Sequence, residues 1–247
     1  MLRRVLSDRL PTHDAEDDFR WRGEGVSRVE NLSDIVFALA VSLLVASTGV
    51  PATFAELLEA LTGFLAIAFC FAILLLVWRS HYTFFRRYGL EDNRTVWLNA
   101  VLLFLILLYV LPLRFVAGFQ SDLLLGRFGS GREIASVLSF EQIPLLQLVY
   151  SGGYAAVFGV FALLYHHAGR QADRLDLTPV ERVLTAERVA LASVHVAAGM
   201  AAIALAFTLP VQWSFLSWMV YFAIGPSVYL VRRLYQGRYQ DLTAAPD

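Results

Sequence analysis

Six apolar runs, each close to twenty residues long, decide what this chain can become. They lie at about Leu32–Thr48, Leu57–Trp78, Val96–Phe119, Ile143–Tyr165, Val189–Leu209 and Val211–Val231. A hydrocarbon core of about 30 Å takes about 20 helical residues to cross. Inside it, only helices and closed barrels satisfy every backbone N–H and C=O. These runs are too long for barrel strands and lack their strict alternation. The expected fold is therefore an all-α integral membrane protein with six transmembrane helices. Composition agrees, since 57% of the 247 residues are hydrophobic and 17% are charged, against about 25% charged in a soluble domain.

Charge placement orients the helices. Every basic residue is an arginine. Arg3, Arg4, Arg9, Arg20, Arg22 and Arg28 precede span one, and Arg79, Arg86, Arg87 and Arg94 separate spans two and three. Arg170, Arg174, Arg182 and Arg188 separate spans four and five, and Arg232, Arg233 and Arg238 follow span six. The opposite side carries only Arg114, Arg127 and Arg132. Cytoplasmic loops hold the excess of positive charge, so both termini are expected in the cytoplasm. The resulting plan is a cytoplasmic segment over residues 1–27, a six-helix membrane domain over 28–235, and a cytoplasmic tail over 236–247. Residues 1–27 have no apolar core, so no secretory signal peptide is expected. A formal charge of −1 supplies no global basic field, so nucleic acid is not an expected partner. The expected partner is the lipid bilayer.

The loops add little. Residues 118–142 form the longest outer segment, with Gly126, Gly129 and Gly131 and an expected interfacial piece around Ile134–Phe140. Pro179 is placed to open the helical entry to span five.

Span one carries the most informative stretch, Arg28–Thr48. Charged and polar residues run straight into an apolar segment, with Asp34 just inside it and Ser42 at its middle. A lipid-facing carboxylate at a helix centre costs about 2.5–3.5 kcal/mol, so Asp34 is expected to face protein, with Arg28 or a neighbouring helix as partner. Ile35, Leu39, Ser42 and Ala46 follow a 4-3-4 spacing and share one narrow helical stripe. On spacing alone that stripe fits two uses, a helix-packing seam or the lining of a pore.

Other residues could carry chemistry. Ser151-Gly152-Gly153 with His195 suggests a serine–histidine hydrolase, but Ser151, Ala155 and Gly159 recur every fourth residue, the pattern of close helix packing. His166 and His167 are adjacent and do not form the i, i+4 pair of a helical metal site. No Gly-rich phosphate loop, CxxC, HExxH or Thr-Val-Gly-Tyr-Gly filter occurs. A secondary transporter would bring internal repeats and paired broken helices, whereas only Pro112 interrupts a span. No cofactor and no fixed metal are expected, and no catalytic set assembles.

Arg28-x-x-x-Leu32-Ser33-Asp34 resembles the Arg-x-x-x-Phe-Ser-Asp signature on the first helix of the transmembrane protein 175 family, the lysosomal and endosomal potassium channels and their prokaryotic relatives. Trp78-x-x-His81-x-x-x-Phe85 resembles that family's ending of span two, and Asn99 with Pro112 its pattern in span three. Leu32 and Leu113 stand where the family usually has Phe. The resemblance covers residues 28–115. It implies a potassium-permeable cation channel, a homotetramer in the one-repeat prokaryotic forms, in a prokaryotic plasma membrane. Helix one would line a central pore, with Leu39 at the apolar constriction, Ser42 in the hydroxyl layer where K⁺ pauses, and Ala46 beyond. Ile35 extends the same stripe. Arg28, Ser33, Asp34, Trp78, His81 and Asn99 would form a network holding helix one against helices two and three.

Overall fold

The computed structural model describes residues 19–23, 25–46, 50–124 and 137–244. The expected interfacial piece at 134–136, the outer glycines and arginines of 125–136, most of the N-terminal segment and the last three residues lie outside them. All regular structure among the described residues is helical. Helix α1 covers Arg28–Ala46, α2 Phe54–Thr62, α3 Phe64–Tyr88 and α4 Asn93–Leu124. A 3₁₀ turn at Phe140–Gln142 leads into α5, Ile143–Arg170, and α6 follows at Pro179–Thr208. A 3₁₀ stretch, Val211–Ala223, then runs into α7, Ile224–Ala244. Six units are long and apolar enough to cross a membrane: α1, α3, α4 to Phe119, α5, α6 and the combined Val211–Leu242.

Two boundaries depart from the hydropathy reading. The second apolar run is cut at Gly63, which separates α2 from α3, so the crossing helix starts at Phe64 and continues to Tyr88. Glycine is the weakest ordinary helix former, by about 1 kcal/mol against alanine, and the chain breaks there. Pro112, in contrast, does not end its helix, and α4 continues through it to Leu124. A proline inside a helix forfeits one backbone bond, a loss that neighbouring helices can absorb in a membrane bundle.

Helix ends are fixed by side chains. Ser27 and Glu30 exchange a capping box at the start of α1, with Ser27 N–H to Glu30 Oε2 at 2.8 Å and Glu30 N–H to Ser27 Oγ at 3.1 Å. Thr178 and Glu181 do the same for α6, which begins at Pro179. Gly89 closes α3 in the left-handed region at φ 55°. A side chain there would also meet the Arg22 carbonyl oxygen at 3.1 Å, so glycine lets the N-terminal segment pass close by.

Packing divides the protomer into two groups. α1 lies against α3 and α4, while α5, α6 and the 3₁₀–α7 unit form the second group, and α4 joins them through α5. The core is continuous across that join, running from Phe37, Leu44, Cys70 and Leu74 through Leu102 and Ile106 to Phe161 and Leu164. In the second group α5 and α6 approach closely at Gly199, where a Cβ would stand 3.0 Å from both Ala155 Cβ and the Ser151 carbonyl oxygen. The small-residue stripe of α5 is thus a packing surface.

Candidate functional site

A helix turning 100° per residue separates positions three or four apart from those two or five apart. α1 uses that geometry to carry two faces. Ser33, Phe37, Ala40 and Leu44 are buried against the bundle. On the opposite side Ile35 is 66% exposed and Leu39 48% exposed, and Ser42 and Ala46 are exposed as well. The four stripe residues therefore make no part of the protomer core. A packing seam within one protomer would require the reverse.

Ser42 has a specific geometry on that open face. Its hydroxyl donates to the Ala38 carbonyl oxygen at 2.9 Å. The proton is thereby directed back along the helix, and the oxygen lone pairs remain for a ligand. What the side chain presents outward is an acceptor.

On the buried face, a polar chain ties α1 to its neighbours. Ser33 Oγ donates to the Val29 carbonyl oxygen at 2.7 Å and accepts from Asn99 Nδ2 at 3.0 Å. Asn99 Oδ1 meets His81 Nε2 at 2.9 Å. Since Oδ1 can only accept, His81 carries its proton on Nε2 in this arrangement. The imidazole is 2% exposed and lies between Phe85, at 4.6 Å between centroids, and Phe37, at 5.7 Å. Three helices meet through one carboxamide.

Asp34 takes a separate partner. Trp78 Nε1 donates to its Oδ1 at 2.8 Å, joining α1 to α3 a turn away from the Asn99 chain. Arg28 is exposed and meets neither Asp34 nor any other described side chain of the protomer. Of the six motif residues, the fold brings together Ser33, Asn99 and His81 as one group and Asp34 with Trp78 as another, and leaves Arg28 outside both.

Further residues act on α1 that the linear reading passed over. Arg114 Nη1 donates to the Leu44 carbonyl oxygen at 3.1 Å, satisfying one of the last four carbonyls that a helix leaves without partners. The linear reading gave Arg114 only an orienting charge. Arg22, just before α1, forms a bidentate pair with Glu181, Nη1 to Oε1 at 2.8 Å and Nη2 to Oε2 at 2.7 Å. Its Nε donates to the Leu175 carbonyl oxygen at 2.7 Å. The segment before α1 is also held to α3 by Arg22 and Gly23 N–H groups on the Arg86 carbonyl oxygen, at 3.0 and 3.1 Å. The Ser27-x-x-Glu30 spacing was the one available sequence signal for where α1 begins.

The alternative chemistries find no geometry. Ser151 accepts from Gln147 Nε2 at 2.7 Å and from the Tyr221 hydroxyl at 2.6 Å, while His195 Nδ1 pairs with the Tyr154 hydroxyl. Serine and histidine thus take different partners. Among the described residues, no three His, Cys, Asp or Glu side chains converge as metal ligands.

Comparison with known proteins agrees on one family. The family model described as endosomal/lysosomal potassium channel TMEM175 matches residues 28–112. A potassium channel from Marivirga tractuosa is 40% identical over 167 residues, which span 66% of this chain and 68% of that protein. One from Chamaesiphon minutus is 29% identical over 163 residues, 63% of this chain and 71% of its own. Among solved structures, the crystal structure of a threonine-to-alanine variant of the potassium channel MtTMEM175, in complex with a nanobody–MBP fusion protein, matches with a TM-score of 0.80. The identity is 32%, over 89% of this chain and 97% of that one.

Proposed function

The chain belongs to the endosomal/lysosomal potassium channel family TMEM175, and from that premise we propose that it conducts K⁺ passively through an axial pore lined by α1 in a homotetramer. A potassium channel is not an enzyme class, and the six apolar helices make it a multi-pass membrane protein. The observation that carries the pore reading is the division of α1 into a buried face and an opposite open face bearing Ile35, Leu39, Ser42 and Ala46. A single stripe is too narrow to enclose an ion path, so closure needs symmetry-related copies.

In such a ring, four Leu39 side chains form an apolar constriction that blocks ions by dewetting. Four Ser42 hydroxyl oxygens, each with its proton already donated to Ala38, offer acceptors to a partly dehydrated cation. No fixed carboxylate lies at mid-pore, so discrimination between cations is carried by dipoles. Asn99, His81 and Ser33, together with Trp78 and Asp34, hold α1 in register on its other side. The arginine distribution supports cytoplasmic placement of both termini, and the bacterial relatives support a prokaryotic plasma membrane. The membrane domain runs over 28–235, between cytoplasmic segments at 1–27 and 236–247.

Purified protein in planar bilayers, with K⁺ on one side and Na⁺ on the other, tests the assignment. The wild type should give a reversal potential favouring K⁺, Ser42→Ala should move it toward zero, and Ser42→Thr should keep it. Flux that requires a co-transported solute, or a Ser42→Ala variant indistinguishable from wild type, would overturn it.

A further inference from the structure

Outside the pore stripe, the first turn of α4 and the end of α5 enclose an open pocket of about 370 Å³ lined by Asp92, Arg94, His167, Arg170, Gln171 and Arg174. Its charges are unevenly spent. The Asp92 carboxylate is fully engaged inside the protein: Oδ1 accepts from the Thr95 N–H at 2.8 Å, and Oδ2 meets His167 Nε2 at 2.6 Å and Gln171 Nε2. The arginines are not. Arg94 and Arg170 are exposed and form no side-chain hydrogen bond or ion pair with another described residue. Arg174 gives a single 3.2 Å bond to Gln171 Oε1. Three guanidinium groups from two helices and the following turn thus open onto one concavity with their donors free. Guanidinium is the side chain best matched to phosphate oxygens.

The surface next to the pocket shows in what form the phosphate arrives. Arg94 heads an open row on α4 that continues at helical spacing through Trp97, Val101, Phe104, Leu108 and Leu111. These residues are exposed by 67%, 47%, 65%, 59% and 65% in turn. An exposed tryptophan one turn from an arginine marks the headgroup level of a bilayer. From Trp97 to Leu111 the row extends about 21 Å along the helix, longer than the roughly 15 Å depth of one leaflet. A lipid phosphate held at these arginines would have its acyl chains beside this row, which a free phosphate would not engage.

We propose that the Arg94–Arg170–Arg174 pocket binds the phosphate headgroup of an anionic phospholipid, whose acyl chain lies along the Trp97–Leu111 face of α4. Basic pockets between transmembrane helices at the membrane surface are suited to such headgroups. The proposal is independent of ion selectivity and concerns a different face of the protomer from α1.

The test uses the full-length protein in detergent with equal amounts of dioleoyl phosphatidic acid and dioleoyl phosphatidylcholine, read by native mass spectrometry. Wild type should retain phosphatidic acid at least about fivefold over phosphatidylcholine. Arg94→Gln with Arg170→Gln should abolish most of that preference, at about fivefold per arginine, whereas Arg233→Gln should leave it unchanged. Arg170→Gln alone, at a position with no protein contact to lose, keeps the experiment readable should the double variant fail to assemble. A preference unaltered in these variants overturns the proposal. So does displacement of phosphatidic acid by millimolar inorganic phosphate alone, which would make the ligand a soluble phosphate.

Discussion

Removing the carboxamide of Asn99 strands two partners at once. Asn99→Leu nearly conserves volume but leaves the buried His81 N–H without an acceptor and Ser33 without a donor. An unpaired buried polar group costs about 1–3 kcal/mol. Ser33→Ala should cost less, since Asn99 keeps its bond to His81. Thermal unfolding of the two variants in detergent checks the order. On the open face the expectation is the opposite, because Leu39 supports nothing within the protomer. Leu39→Ala should leave unfolding nearly unchanged, raise flux and admit larger cations, as read by liposome flux with cations of graded size. Both sets of residues stood out in the linear sequence, Ser33 and Asn99 through motif and Leu39 and Ser42 through periodicity. Spacing alone did not divide them between a buried and an open face, because a 4-3-4 stripe reads identically whichever way the helix is rotated; only the family resemblance implied that division.

At the level of elements, the strongest fastening of α1 lies outside its own span. Arg22 and Glu181 are 159 residues apart in sequence, and Glu181 is 1% exposed. Hydropathy and local spacing carry no information at that separation, so the clamp was illegible until the chain was folded. Breaking a buried ion pair by removing one partner costs about 3–5 kcal/mol. Glu181→Ala should therefore lower the thermal midpoint and expose Arg20 and Arg22 to trypsin, seen as a new cleavage near the start of α1. Asp173→Ala, which breaks the solvent-exposed pair with Arg182, should do neither. The start of α4 gives a pH signature. Burial works to raise the Asp92 carboxyl, but the Thr95 N–H, His167 and Gln171 overcome it and hold the group well below its ordinary value. A depressed carboxyl stabilises the fold fully above its unfolded pKa of about 3.9. The contribution is lost as pH falls through the folded value. Asp92→Asn should lower the unfolding midpoint at pH 7 and flatten its decline below about pH 4. The break at Gly63 was hidden for another reason: both sides of it are apolar, and a hydropathy window averages across them.

For the whole molecule, the proposed closing of copies around α1 has a direct test. With Cys70 replaced by Ser, a cysteine introduced by Leu39→Cys should cross-link across the axis into inter-subunit dimers under mild oxidation, resolved by non-reducing electrophoresis. A monomeric mass for the wild type in native measurement would contradict the ring. Six spans were legible because bilayer thickness acts on long, local windows of sequence. The grouping of α1 with α3 and α4 was implied by the family resemblance, whereas its separation from α5 to α7 came only from three-dimensional packing. The two faces of α1 have a consequence for descent as well as for conduction. Ser33, Phe37, Ala40 and Leu44 must satisfy the protomer interior, whereas Leu39, Ser42 and Ala46 answer to no contact inside it. A lineage can therefore exchange residues on the open face one at a time without first finding a compensating change in the core. Ser42 and Ala46 stand on that face, free of contacts with the core. On the proposed pore reading, permeation is thus free to diversify while the scaffold stays fixed.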